Sequence, residues 1–174
     1  MKTRDHFSLF SLPVAFDLDV GDLTSRYLSL QKSLHPDNFI NASEQERLTS
    51  VQQTAQLNDA YNTLKKPMLR ARYLLLLKGI DLNDETNTVM NTQFLMQQME
   101  LREALSAAKT NIDSLETIID QIDEFSKVKL QEIKEKFSDS APAFDEIASA
   151  LREMQFFSKL REDADALAIQ LENN

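Results

Sequence analysis

Apolar residues recur at helical spacing in the first third of the chain, and the recurrence predicts a helix with one buried face. The intervals of four, three and four residues are typical of such a face, whose members are Leu23, Tyr27, Leu30 and Leu34. Asp19 is a suitable N-cap, so we expect the helix to begin near Val20. It should end by Leu34 or His35, because Pro36 disfavours helical geometry in the residue before it.

A second helix is predicted after this break. Ser43 and Glu46 have the spacing of a capping box, in which each side chain bonds the main-chain N–H of the other residue. The apolar residues that follow predict its buried side, namely Leu48, Val51, Ala55, Leu57, Tyr61 and Leu64. Two helices joined by a loop of roughly eight residues should pack antiparallel. Pro67 ends this pair, and a short apolar helix from Met68 to Leu77 should follow.

Three longer amphipathic segments occupy the rest of the chain. We expect them to span about Thr92 to Lys109, Ile112 to Phe137 and Ala143 to Leu171. Their short connections are typical of a three-helix bundle. The chain has two glycines and four prolines in 174 residues, far fewer than turn-rich strand proteins need. The sequence therefore predicts an all-α protein, with an antiparallel helical hairpin followed by a three-helix bundle.

Charge divides the chain into two parts. Residues 1–78 include ten basic and eight acidic residues, a net charge of +2, whereas the remainder has nine basic and twenty acidic residues, a net charge of −11. Gly79 lies at this change, and the polar, helix-poor stretch after it is typical of a linker. We therefore expect a hairpin unit over 1–78, a linker over 79–91 and a bundle over 92–174.

The composition excludes several classes of function. A net charge of −9 disfavours nucleic-acid binding, which needs clustered Lys and Arg to neutralise phosphates. The absence of cysteine excludes disulfides, thiolate nucleophiles and Cys-ligated zinc or iron–sulfur clusters. The longest apolar run, Tyr73 to Leu77, is far shorter than the roughly 20 residues of a membrane span. We expect a cytoplasmic protein with no metal or cofactor of its own and no membrane or nucleic-acid partner.

The tripeptide His35-Pro36-Asp37 lies between the two helices of the hairpin. The order of helix, His-Pro-Asp, short loop and capped antiparallel helix is that of a J-domain, the module with which co-chaperones stimulate ATP hydrolysis by DnaK-class chaperones. The alternative is a turn whose His and Asp only hydrogen-bond locally. An acid–base pair is a third possibility, but the chain has no nucleophile elbow, no glycine-rich phosphate loop and no metal-ligand spacing. Catalysis by this chain alone is therefore not expected.

The first helix of the bundle has apolar residues on two faces. Its core stripe is predicted to consist of Phe94, Leu101, Leu105 and Ala108. Leu95, Met96 and Met99 lie on a different face and are interleaved with Glu100 and Glu103, which indicates a partner-binding surface. The alternative is a wider core that buries Leu95 or Met96.

Phe156 presents a similar choice on the last helix. It lies about 100° around the helix from Phe157, which belongs to the predicted buried stripe. Phe156 therefore either faces outward or covers the edge of the core, and the spacing alone favours neither position.

The whole chain resembles the HscB family, the J-type co-chaperones of iron–sulfur cluster biogenesis. The matching residues are Phe7-Ser8-Leu9-Phe10, Leu12-Pro13, His35-Pro36-Asp37, Val51-Gln52-Gln53, Asn58, Pro67, Arg70-Ala71, Tyr73-Leu74-Leu75, Phe94-Leu95-Met96, Glu100-Leu101-Arg102-Glu103 and Lys159-Leu160-Arg161. The Phe-Leu-Met and Glu-Leu-Arg-Glu runs are more specific than the tripeptide, because ordinary J-domain proteins lack them. One departure is Asn38, where many J-domains have Lys.

The resemblance implies an L-shaped protein with an N-terminal J-domain and a C-terminal three-helix bundle. It also implies two partners: the bundle would bind the iron–sulfur scaffold protein IscU, and the J-domain would recruit the DnaK-class chaperone HscA. The scaffold-binding residues implied by the resemblance are Leu95, Met96, Met99, Glu100, Glu103 and Phe156. The implied chaperone-binding residues are His35, Pro36 and Asp37, with Arg26 and Lys32 as supporting charges.

The leading hypothesis is an adaptor that is not itself an enzyme. It would hold the scaffold, deliver it to the chaperone and stimulate the ATPase of the chaperone, and so aid iron–sulfur cluster assembly and transfer. The alternative is a J-domain co-chaperone of a general DnaK-type chaperone with a different client. The two hypotheses share the hairpin unit and differ at the bundle.

Overall fold

A computed structural model describes residues 5–39, 42–82 and 92–172 of the chain. The chain divides into two compact units, Met1–Lys78 and Gly79–Asn174. All regular structure within the described residues is helical, which confirms the all-α prediction. Residues 83–91, most of the predicted linker, lie outside the described residues.

The N-terminal unit has four α-helices and one 3₁₀ turn within its described part. The helices are α1 (His6–Leu9), α2 (Val20–Leu34), α3 (Glu44–Lys65) and α4 (Pro67–Leu77), and the 3₁₀ turn (Pro36–Phe39) lies between α2 and α3. α2 and α3 are the two long helices of the unit. α2 begins and ends at the predicted residues, and α3 begins directly after its predicted cap, Ser43. α4 begins at a proline, whose missing N–H needs no partner in the first turn of a helix.

The caps of α2 and α3 are the residues that the sequence predicts. The Asp19 carboxylate accepts hydrogen bonds from the main-chain N–H groups of Gly21 and Asp22. Ser43 and Glu46 form the reciprocal capping box. These bonds satisfy N–H groups that have no partner within the helix, and so fix where each helix begins.

α2 and α3 pack antiparallel, as predicted. The Tyr27 ring in α2 stacks on Tyr61, near the end of α3, with 4.0 Å between centroids. The Tyr27 hydroxyl donates to the side-chain oxygen of Asn58 at 3.0 Å. At the other end, the Ser50 hydroxyl, near the start of α3, donates to the carbonyl of Leu34, the last residue of α2.

The predicted buried side of α3 is wrong in its first half. Leu48, Val51 and Ala55 are exposed, whereas the buried residues of α3 are Ser50, Leu57, Ala60 and Leu64. The three exposed residues lie about 120° to 180° around the helix from Leu57 at 100° per residue. The face toward α2 is occupied instead by Ser50, because its small side chain bonds the end of that helix.

The C-terminal unit consists of α5 (Thr92–Ala107), α6 (Ile112–Ser138) and α7 (Phe144–Glu172) within the described residues. Each lies within two residues of its predicted bounds. The buried residues of α6 and α7 repeat at helical spacing and comprise Leu115, Ile118, Ile122, Ile133, Ile147, Ala148, Ala150, Leu151, Met154, Phe157, Leu160 and Ala164. Phe125 continues this spacing three residues after Ile122, but it is 37% exposed.

Two ion pairs fix the antiparallel register of α6 and α7. The Arg161 guanidinium lies 3.0 Å from the Asp123 carboxylate, and the Lys136 ammonium lies 2.5 Å from the Glu146 carboxylate. The sequence positions of these pairs run in opposite directions along the two helices. α5 packs on the pair through Phe94 and therefore presents its remaining faces outward.

Candidate functional site

The His-Pro-Asp tripeptide lies just after the end of α2. His35 leaves the helix with a ψ of 130°, and the 3₁₀ turn follows at once. The main-chain N–H of Asp37 donates to Nδ1 of His35 at 3.3 Å, and the Asp37 carboxylate lies 3.5 Å from the same nitrogen. Both side chains are more than half exposed, so both are accessible to a partner.

Three polar side chains hold the chain just before the tripeptide. The Asn38 side-chain amide donates to the carbonyl of Lys32 at 2.8 Å. Ser50 and Thr54 of α3 donate to the carbonyl of Leu34 at 2.7 and 3.1 Å. Carbonyls in the last turn of a helix have no partner within it, so these bonds satisfy them. Asn38, where many J-domains have Lys, therefore acts here as a side-chain cap for the end of α2.

The two basic residues predicted to assist this site have different surroundings. Lys32 is exposed in the last turn of α2, and its ammonium has no partner among the described residues. Arg26 donates through Nε to both carboxylate oxygens of Asp22 at 3.0 Å, and its terminal nitrogen donates to the carbonyls of Phe10 at 3.0 Å and Ser11 at 3.3 Å. Arg26 thus fastens the N-terminal loop to α2, and Lys32 is the charge available to a partner.

The α5 patch is the surface formed by Leu95, Met96, Met99, Glu100 and Glu103. Leu95, Met96 and Met99 are 42%, 59% and 63% exposed, and both glutamates are exposed as well. The alternative of a wider core is therefore wrong. Three flexible or branched apolar side chains beside two carboxylates form a surface suited to an apolar partner segment with basic neighbours.

Phe156 lies half-buried beside the α5 patch. Its ring makes an edge-to-face contact with Phe94 at 5.7 Å between centroids and a similar contact with Phe157. The Arg102 guanidinium of α5 lies 5.4 Å from the centre of the same ring. Phe156 therefore covers the edge of the core and is also partly accessible, so it combines the two positions that the sequence left open.

A groove of about 560 Å³ lies on the other side of the α5 patch, between α5 and the α6–α7 pair. Met96 and Glu100 form its α5 wall, and Phe125, Val128 and Lys129 form its α6 wall. Sequence reasoning did not identify the α6 wall or Arg102. The available signals were Val128, an apolar residue outside the buried stripe of α6, and Arg102, which lies three residues after Met99 and so close to the same face.

Lys129 is a cation on the α6 wall of this groove. Its ammonium lies 2.7 Å from the carboxylates of both Glu132 and Glu153. Burial lowers the pKa of Lys129, but its hydrogen bonds to Glu132 and Glu153 outweigh burial and raise the pKa overall. The lysine is therefore charged at neutral pH, and its charge is more than balanced by its two partners.

Neither a metal site nor a membrane span is found within the described residues. No group of three or more His, Asp or Glu side chains there could hold a metal ion. No helix in residues 5–39, 42–82 and 92–172 is long and apolar enough to cross a membrane.

Sequence comparison relates both units to one family. Residues 90–165 match the family model described as "HSCB C-terminal oligomerisation domain". The co-chaperone protein HscB homolog of Shewanella oneidensis is 44% identical over 163 residues, which cover 91% of this chain and 94% of the relative. The homolog of Aliivibrio salmonicida is 41% identical over 170 residues, 96% of this chain and 98% of the relative.

Structural comparison gives the same family. The chaperone HscB from Vibrio cholerae superposes with a TM-score of 0.83 at 39% identity and covers 97% of this chain and 99% of its own. The human co-chaperone protein HscB superposes with a TM-score of 0.90 at 33% identity and covers 98% of this chain and 85% of its own. The hairpin unit therefore corresponds to the J-domain of these structures, and the bundle corresponds to their C-terminal helical bundle. The chain belongs to the HscB family of co-chaperones.

Proposed function

We propose that this protein binds the iron–sulfur scaffold protein IscU through its bundle, delivers it to the DnaK-class chaperone HscA and stimulates the ATPase of that chaperone through the His-Pro-Asp loop. The observation that supports this most directly is the α5 patch. An HscB co-chaperone needs a surface for a client, and Leu95, Met96 and Met99 are exposed together on α5.

The J-domain supplies the second contact. His35 and Asp37 are exposed at a rigidly held loop, and Lys32 adds a positive charge one turn earlier. A partner chaperone with an acidic surface would be attracted by this charge and oriented by the loop. The co-chaperone performs no hydrolysis itself: it favours the conformation of the chaperone that hydrolyses ATP.

The two contacts act together because the client and the J-domain reach the same chaperone. Binding of one partner then changes the free energy of binding of the other, which is a coupling between sites. The charge difference between the units fits this division. The J-domain has a net charge of +2, whereas the bundle, with −11, presents Glu100 and Glu103 at the edge of its apolar patch.

The test is the steady-state ATPase rate of HscA measured alone, with this protein, with IscU and with both. We expect the largest stimulation when both are present. His35→Gln should abolish stimulation and leave scaffold binding intact, because the change lies in the other unit. Comparing a general DnaK-type chaperone in the same assay distinguishes the two co-chaperone hypotheses.

Scaffold binding is tested separately by titration calorimetry with IscU. The double variant Leu95→Ala with Met96→Ala should weaken binding by about 1–3 kcal/mol, as central apolar contacts do. Ile169→Ala is the control, since Ile169 lies on the same bundle and is as exposed as Met96, at 59%. If the double variant bound as tightly as the control, the α5 patch would not be the scaffold site.

A further inference from the structure

The groove between α5 and α6 is an extension of the α5 patch. Met96 and Glu100 belong to both surfaces, since each is part of the patch and lines the groove. On the far wall, Phe125 is 37% exposed and Val128 is 58% exposed. Exposed apolar side chains on two neighbouring helices thus form one continuous surface that extends beyond α5.

The shape of the groove suits a single large side chain. Phe125 stacks on the buried Phe157 at 5.8 Å between centroids, so this part of the α6 wall is apolar and held in place by the core. Met96 at the rim is unbranched and adapts readily to a ligand. A cavity of about 560 Å³ has room for a side chain and the turn of backbone that presents it.

The charges around the groove favour a basic neighbour on the occupant. Lys129 is paired with both Glu132 and Glu153, and Lys136 is paired with Glu132 and Glu146, which gives this group of two lysines and three glutamates a net charge of −1. Glu100 adds a second negative charge, and its carboxylate has no partner within the described part of the chain. An incoming segment that combines an apolar side chain with Lys or Arg would therefore be complementary to both parts of the groove.

We propose that the scaffold inserts such a segment into the groove, so that its contact continues from the α5 patch across to Phe125 and Val128 of α6. This inference rests on the proposed function and adds the α6 wall and the chemistry of the inserted segment. A second copy of this chain is a less suitable occupant, because the bundle is strongly acidic and would repel its own copy at this rim.

The test is titration of IscU into the full-length protein and into four variants, Val128→Lys, Val128→Ala, Ile169→Lys and Met99→Ala. Val128→Lys places a cation where the apolar side chain and its basic neighbour would lie. Ile169→Lys is the matched control, because Ile169 is 59% exposed and lies twelve residues beyond Phe157, roughly 18 Å along α7. Met99→Ala tests the α5 patch outside the groove. Circular dichroism confirms that each variant folds.

The expected result is an increase in Kd of about tenfold or more for Val128→Lys and no change for Ile169→Lys. Val128→Ala should give a smaller increase, about threefold, because it removes two methyl groups without adding a charge.

If Met99→Ala weakens binding while Val128→Lys matches its control, the groove inference is wrong and the α5 patch stands. If the wild-type protein does not bind IscU, both proposals fail. If Val128→Lys changes the sedimentation mass of the protein alone, the occupant is a second copy and the inference is overturned.

Discussion

The hydroxyl of Ser50 donates a 2.7 Å hydrogen bond to the main-chain carbonyl of Leu34. This bond joins the start of α3 to the last residue of α2, directly before the His-Pro-Asp tripeptide. Ser50 is one of two buried polar or charged residues among the described residues. A buried hydroxyl with a good acceptor stabilises one arrangement of the chain, so the hairpin holds the tripeptide at a defined position.

Removal of this hydroxyl should loosen the tripeptide. We expect Ser50→Ala to lower the free energy of unfolding by about 1 kcal/mol, because the Leu34 carbonyl keeps only the longer bond from Thr54. The ATPase stimulation should fall as well, since the loop is less well oriented. Urea unfolding and the HscA assay measure the two effects. Thr49→Ala is the control, because the Thr49 hydroxyl bonds only within α3 at the exposed Gln45 carbonyl. Equal unfolding midpoints for the two variants would contradict the role of Ser50.

Substitutions at Arg26 and Lys32 should have different effects, the first on the stability of the protein and the second on its stimulation of the chaperone. Arg26→Ala should lower the free energy of unfolding, because it releases the Phe10 and Ser11 carbonyls and the Asp22 carboxylate.

Lys32→Ala should leave stability unchanged and weaken stimulation of the chaperone, with the loss reduced at high salt because exposed charges are screened. Thermal unfolding measures the stability of each variant, and ATPase rates at two salt concentrations measure its stimulation of the chaperone. If Arg26→Ala unfolds at the same temperature as the wild-type protein, the hydrogen bonds of Arg26 contribute little to stability.

The helices could be predicted from the sequence because their signals are local. Caps at Asp19 and Ser43, the break at Pro36 and the apolar spacing of α6 each act within a few residues of the chain. Which apolar residues face inward depends also on the packing partner. Leu48 is 59% exposed and Leu57 only 2%, although both continue the apolar pattern of α3. The short Ser50 occupies the contact with α2, and no local rule requires that.

The candidate sites, too, could be predicted where their residues lie close together in the sequence, and could not where they depend on helix packing. Leu95, Met96 and Met99 share a helix, so their common face follows from 100° per residue. The groove joins Met96 to Val128, which is 32 positions later, and such a contact depends on how two helices pack. Likewise, the bond from Arg26 to the Phe10 carbonyl required the path of the N-terminal loop, which the sequence does not specify.

His6 should make the stability of the J-domain depend on pH. Its ring stacks on Tyr73 at 4.2 Å between centroids, and Nε2 lies 3.6 Å from the Asp59 carboxylate. Burial lowers the pKa of His6 from its usual 6.5 more than Asp59 and Asp5 raise it. The unfolded chain therefore binds a proton more readily than the folded chain. The free energy of unfolding should be fully retained above the unfolded pKa and fall as pH drops through 6.5 toward the lowered pKa.

The variant His6→Phe keeps a ring against Tyr73 and removes the titrating group. We expect it to flatten the pH dependence of the urea midpoint between about pH 7.5 and 5.5, where carboxylates contribute least. If the urea midpoint of His6→Phe depends on pH as steeply as that of the wild-type protein, another titrating group causes the pH dependence.

Phe156 should contribute to both stability and scaffold binding, because its ring packs on Phe94 and is also partly exposed. Phe156→Ala should lower the free energy of unfolding by about 1–2 kcal/mol, less than for a fully buried Phe, and should also weaken IscU binding. Phe156→Leu restores apolar volume against Phe94 and should recover most of the stability, but it lacks the ring face on which Arg102 lies. Calorimetric titration of IscU into both variants, beside urea unfolding, separates the two effects. If Phe156→Leu recovers full stability and also full affinity, the ring serves only to cover the core, and its place in the scaffold contact is disproved.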